Sequence, residues 1–112
     1  MIVDLRNCRK FTGGDKSNLR ELLNPLKTKL RIRYSLAHAT VRRGKKTLPH
    51  KLKSPEVYYI IQGSGKMHID NRSSKVGAGT AVYIPPKSVQ FIENTCKTEL
   101  KFLCIVDPAW RP

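Results

Sequence analysis

The chain has few side chains able to do chemistry: three histidines, three cysteines and eight acids among 112 residues. Glu56 opens an alternating run in which Tyr58 and Ile60 share its parity, so a carboxyl and a phenol are expected on one face of a strand. An ionised glutamate among apolar neighbours costs several kcal/mol unless something relieves it. A metal ion, a lysine partner or a raised pKa would each do so, and each implies a different chemistry. Beside it, Tyr58 is a candidate proton donor or substrate orienter, or a packing residue. A second alternation, Leu30, Ile32, Tyr34 and Leu36, leads to His38 and predicts that this imidazole shares the apolar face. Arg42, Arg43, Lys45, Lys46, Lys51 and Lys53 surround His50 with no acid before Glu56. Such a collar suits an anionic substrate, although a solvated basic loop is the simpler reading.

Other reactive groups fit no familiar arrangement. His68 alternates with Met67 and Ile69 and is expected to be exposed and inert, while Cys104 lies in an apolar run and reads as buried filling. No Ser-His-Asp set, phosphate loop or CxxC pair appears, and Gly63-Ser64-Gly65 is a hairpin turn too short to cradle phosphate. Cys8, Cys96 and Cys104 are odd in number and lack metal-type spacing, which argues against disulfides and for a reducing cytoplasm.

The elements that would position these groups are short strands. They are expected at residues 27–41, 57–62, 66–70, 75–76, 80–84, 89–93 and 99–106, separated by turns such as Arg43-Gly44, Asp70-Asn71 and Pro85-Pro86. Asp15-Lys16-Ser17-Asn18 supplies helix-capping residues before Leu19–Leu23, predicting a short helix that Asn24-Pro25 ends. Many short strands argue for an antiparallel sandwich or barrel. The last six residues form an expected tail with Trp110 as its apolar anchor. With 39% hydrophobic and 27% charged residues, the chain is expected to be a soluble single domain. It divides into an arm (1–34), a barrel (35–106) and a tail (107–112). No apolar run approaches the length of a membrane span, and no signal peptide is apparent.

Charge is unevenly spread. Residues 1–54 carry 15 Lys/Arg against 3 Asp/Glu, and residues 55–112 carry 7 against 5. A basic half attracts anions, yet alternating Lys27, Lys29, Arg31 and Arg33 read more simply as a solvated face. Aromatic residues are not interleaved with the basic clusters, so nucleic acid is an unlikely partner on this reading.

Two stretches resemble the cupin superfamily, including the small phosphomannose-isomerase-like members. Gly44, His50, Glu56 and Gly63 stand at the spacings of the family's first motif, with Leu52 where a second histidine belongs. Gly79, Pro85, Gln90 and Asn94 keep the spacings of the second, with Gln90 replacing a histidine and Lys87 a glycine. The resemblance implies an all-β antiparallel double-stranded β-helix, a jelly-roll barrel. It also implies a divalent transition metal (Fe, Mn, Zn or Ni) on His50, Glu56 and Gln90, and the alternation from Leu30 offers His38 as a replacement ligand from the earlier strand. Glu56 and Tyr58 would move protons on a small, anionic substrate in a dioxygenase, isomerase, epimerase, cyclase or decarboxylase. The alternative is a binding or sensing barrel without metal or turnover, favoured by the loss of two ligands. A homodimer is the expected assembly.

Overall fold

The fold follows from strands that are apolar on alternate positions and from tight turns that return the chain. The computed structural model describes residues 1–13, 15 and 17–111. Nine strands run β1 (Lys10–Thr12), β2 (Asn18–Leu23), β3 (Ser35–Val41), β4 (Glu56–Gln62) and β5 (Ser64–Ile69), then β6 (Arg72–Gly77), β7 (Ala81–Ile84), β8 (Gln90–Asn94) and β9 (Leu100–Val106). A six-stranded sheet has the order β1-β2-β3-β9-β4-β7, and a three-stranded sheet the order β6-β5-β8. All pairings between these strands are antiparallel. The architecture is the expected all-β jelly roll, with its two sheets facing each other rather than closing into a continuous barrel. No described helix is long and apolar enough to cross a membrane.

Turn chemistry is where expected. Gly44, Gly63 and Gly79 adopt positive φ, the left-handed region that glycine enters without a Cβ penalty. Asp70 and Lys87 also have positive φ, at the β5–β6 hairpin and after Pro85-Pro86. Gly65 has a second role. A Cβ there would collide with the Glu93 carbonyl oxygen, so this position sets how closely β5 and β8 approach.

Two expectations in the arm are corrected. Leu19–Leu23 does not form a helix; it lies within β2, bonded to β1 on one side and β3 on the other. Capping residues and Leu/Glu/Arg composition favour a helix locally, but β3 pairs along most of the segment and β1 along its first residues, and tertiary context wins. Nor does a strand begin at Lys27. Residues 24–34 are turn and irregular chain, and β3 starts only at Ser35. Asn24 builds that turn, its Oδ1 accepting from Leu26 N at 2.9 Å and its carbonyl accepting from Lys27 N and Thr28 N. Lys16 in the expected cap and Pro112 in the expected tail lie outside the described residues.

The core fills one end of the sandwich. Ile60, Ile92, Leu100 and Phe102 are at most 1% exposed and pack with Met67, Val82 and Ile84. Toward the other end β3 presents Ser35, Ala37 and Ala39, whose short side chains leave the space unfilled. The tail closes over it: Trp110 N donates to Ser35 Oγ at 2.8 Å, Asn24 Nδ2 donates to Trp110 O, and the indole lies near Phe11.

Candidate functional site

The unfilled end is a cavity of about 800 Å³, within the range of small-molecule sites. Its walls come from both sides of the six-stranded sheet's centre. Phe11 and Leu19 stand in line with Ala39 and Phe102 through the register Phe11↔Leu19↔Ala39↔Phe102. Directly paired residues project to the same side of a sheet, so this row is interior. Glu56 and Tyr58 from β4, and Cys104 and Val106 from β9, extend the wall. At the rim stand Arg9, Lys51 and Arg111, all exposed, together with Lys27, which is paired to Glu21 at 2.7 Å.

Three polar side chains form a continuous chain in this wall. Tyr58 Oη donates to Gln90 Oε1 at 2.8 Å, and Gln90 Nε2 donates to Glu56 Oε1 at 2.8 Å. Strand pairing explains the alignment: Glu56 and Tyr58 share one face of β4, while the bridge between His50 and Gln90 holds the incoming loop along β8. His50 N donates to Gln90 O at 3.0 Å and Gln90 N to His50 O at 2.8 Å. Thr47 fastens the same loop, its Oγ1 accepting from Ile92 N. His50, Glu56, Tyr58 and Gln90 are therefore neighbours in the structure.

Electrostatics follow from burial. Glu56 is 6% exposed. Burial pushes its carboxyl up to about 7, partly opposed by the Gln90 hydrogen bond and the nearby His50. A raised pKa, one of the three remedies open from sequence, is what burial produces at Glu56. Burial, with the Glu56 charge nearby, also holds the Tyr58 phenol well above its ordinary value, and burial does the same to the Cys104 thiol. Both stay protonated across the physiological range. No buried side-chain nitrogen or oxygen lacks a partner among the described residues. Among the described residues no hydrogen bond reaches Glu56 Oε2, which faces whatever occupies the cavity.

His50 is oriented rather than buried. Its Nδ1 lies 3.0 Å from the Leu48 carbonyl, which can only accept, so Nδ1 carries the proton in that bond. Nε2 faces Asp15 Oδ2 at 3.8 Å. Asp15 is a cavity-lining residue that sequence reasoning missed. It belongs to the Asp-x-Ser signal read as a helix cap, and Asp15 Oδ1 does accept from Ser17 N at 3.0 Å and Ser17 Oγ at 2.6 Å. The local turn chemistry was therefore visible, but the chain continues into a strand.

His38 is the principal correction. It pairs with Arg20 and Leu103 and lies on the outer face, while Ala37 and Ala39 line the cavity. The alternation beginning at Leu30 cannot be extended through irregular residues 24–34, and the register of β3 is one residue out of step with it. His68 is half-buried, stacked on Phe91 at 4.1 Å with its Nε2 3.1 Å from Glu93 Oε1, more engaged than its expected exposure implied. Cys104 is buried at the cavity wall, as expected.

The donor set does not fit a transition metal. Leu52 lines the cavity in the place of an imidazole, and His38 points away. Gln90 is 1% exposed and does not reach the cavity surface, with its amide oxygen held by Tyr58 and its nitrogen by Glu56. Among the described residues no group of three or more His, Cys, Asp or Glu is gathered closely enough to hold a metal ion. Strong sites draw three or four such ligands.

Comparison with known proteins matches residues 37–106 to the cupin domain. An uncharacterised protein of Methanocaldococcus jannaschii is 45% identical over 103 residues, covering 91% of this chain and 82% of that one. Among solved structures, a predicted oxalate decarboxylase from Thermotoga maritima superposes with a TM-score of 0.84 at 22% identity, covering 96% of this chain and 99% of that one. The polyketide cyclase RemF from Streptomyces resistomycificus gives a TM-score of 0.83 at 19% identity, covering 100% of this chain and 82% of the cyclase.

Proposed function

The chain belongs to the cupin family, and on that premise we propose that it binds a small anionic molecule, such as a carboxylate, inside the barrel without a resident metal. The observation that carries this is the Tyr58–Gln90–Glu56 chain, which ends in a carboxyl poised near neutrality on the wall of the cavity. Arg9, Lys51 and Arg111 at the rim draw an anion in. Inside, a protonated Glu56 donates through Oε2 to the ligand's carboxylate oxygen, a hydrogen bond that an ionised Glu56 could not make. Apolar neighbours, Phe102, Val106 and Leu52, exclude water around that bond and strengthen it.

The same carboxyl can also give or accept a proton at neutral pH, the property required of a general acid or base. Solved relatives named for decarboxylation and for polyketide cyclisation share the barrel, so the fold is compatible with turnover but selects no reaction. Proton transfer would fall to Glu56, with Tyr58 positioning it through Gln90.

Calorimetric titration with oxalate and a panel of mono- and dicarboxylates at several pH values tests the binding reading. Affinity is expected to fall as pH rises above about 7, approaching tenfold per unit as the donor proton is lost. Glu56→Ala should abolish that dependence and most of the affinity. Absence of saturable binding by every member of the panel, or affinity that ignores Glu56→Ala, would overturn the proposal.

A further inference from the structure

The strands that wall the cavity carry a different chemistry on their outer face. Register places Lys10 opposite Arg20 and Arg20 opposite His38; one step along, Asn18 stands opposite Thr40 and Thr40 opposite Lys101. Arg42 follows Thr40 by two residues. Since paired side chains project together, these residues converge on a recess of about 300 Å³ whose lining shares no residue with the interior cavity.

Like charges across a sheet are destabilising, so four cations gathered in one recess call for compensation. Five of the eight acids pair elsewhere: Asp4 with Arg6, Glu21 with Lys27, Asp107 with Arg33, Glu93 with His68 and Asp15 with His50. Among the described residues no carboxylate lies within 4.0 Å of Lys10, Arg20, Arg42 or Lys101. Glu99 is the one acid in the lining, an exposed residue that lowers the local charge without forming an ion pair there. Arg20 is held in place by Nη1 donating to Leu5 O at 3.0 Å, which fixes one side of its fork. His38 feels the uncompensated field. Burial first, then Lys101 and Arg20, depress its pKa.

We propose that this recess is a second anion site, which binds the phosphate group of a small phosphorylated molecule or free phosphate. Four cations match a dianion better than a single carboxylate. The Arg20 and Arg42 guanidiniums offer paired N–H donors to phosphate oxygens, with Thr40 and Asn18 supplying neutral donors beside them. On binding, His38 takes up a proton and becomes a fifth positive group, so affinity rises as pH falls through the range in which free His38 titrates. Lys10, Arg20, Arg42, Lys101 and Glu99 are the charged groups facing it.

The three histidine ring signals, followed by NMR while inorganic phosphate is added at constant ionic strength, test the site. A saturable shift of His38, with its pKa raised and His50 and His68 unmoved, is expected. Lys101→Gln and Lys10→Gln should each weaken binding severalfold while leaving the fold intact. Phenyl phosphate in place of inorganic phosphate separates the two sources: equal or tighter binding indicates a phosphate ester, and much weaker binding indicates free phosphate. Lack of saturation by about 10 mM phosphate, too weak to count as a specific site, would overturn the proposal. So would a shift confined to His50, or binding by long DNA but by neither small phosphate.

Discussion

The two faces of β3 are one residue apart in sequence and opposite in character. Inward, Ala37 and Ala39 are small and uncharged, and the acid across from them, Glu56, is held partly protonated by burial. Outward, His38 and Thr40 sit among Lys10, Arg20, Arg42 and Lys101. The cavity favours the neutral form of Glu56 through desolvation, which the hydrogen bond from Gln90 only partly opposes. The outer recess leaves its charges uncompensated. Desolvation thus separates a site that works through neutral donors from one that works through field strength.

Breaking the interior network should have the largest effect. Gln90→Leu leaves the Tyr58 hydroxyl and Glu56 Oε1 without partners in a buried setting, and unfolding by denaturant should show a loss of about 3–5 kcal/mol. The corresponding charge removal outside, Lys101→Gln, should change stability by less than about 0.5 kcal/mol or slightly raise it, because it relieves like-charge repulsion at a half-exposed position.

Glu56→Gln sharpens the contrast through pH. A carboxyl raised from 4.5 to about 7 means that the folded chain keeps a proton which the unfolded chain releases between those values. Stability therefore falls as pH rises across that window, by about 3 kcal/mol in all, and is flat above it. Glu56→Gln, whose amide oxygen can still accept from Gln90, should remove the slope and be the more stable form at pH 8. A smaller gain is expected from Leu52→His combined with Gln90→His. Restoring two imidazoles at the family's spacing should raise Zn²⁺ affinity by at least tenfold over the natural chain, measured by competition with a chelating dye.

Much of the site was legible because it depends on local spacing. His50 and Glu56 lie six residues apart, on a loop and the strand it feeds, and Gln90 falls at the motif position that pairs with His50. The barrel and most strand boundaries followed from alternation and from Gly, Pro and Asx turns. The N-terminal third was not legible. Leu19–Leu23 has helical composition and becomes strand only because β1 and β3 flank it, a long-range condition. His38 was misplaced because Leu30, Ile32 and Tyr34 alternate without belonging to a strand. Asp15 could be recognised as a turn residue, but the return of its loop to His50 is set by tertiary packing, as the bond from Leu48 N to Asp15 O at 2.7 Å illustrates. Metal ligation was inferred from motif positions, whereas the pairing of Gln90 with Tyr58 and Glu56 became visible only when β4 and β8 were set side by side.

The central claim is that Glu56 is a near-neutral carboxyl held by Gln90 rather than a metal-bound carboxylate. Titration of the glutamate side-chain carboxyl carbons by NMR in metal-free, ligand-free protein, with Glu56 assigned by comparison with Glu56→Gln, measures this directly. A midpoint near 7, shifted further upward by Gln90→Leu, is the result expected. A midpoint at the ordinary value of 4.5, or one that Gln90→Leu does not move, would contradict it.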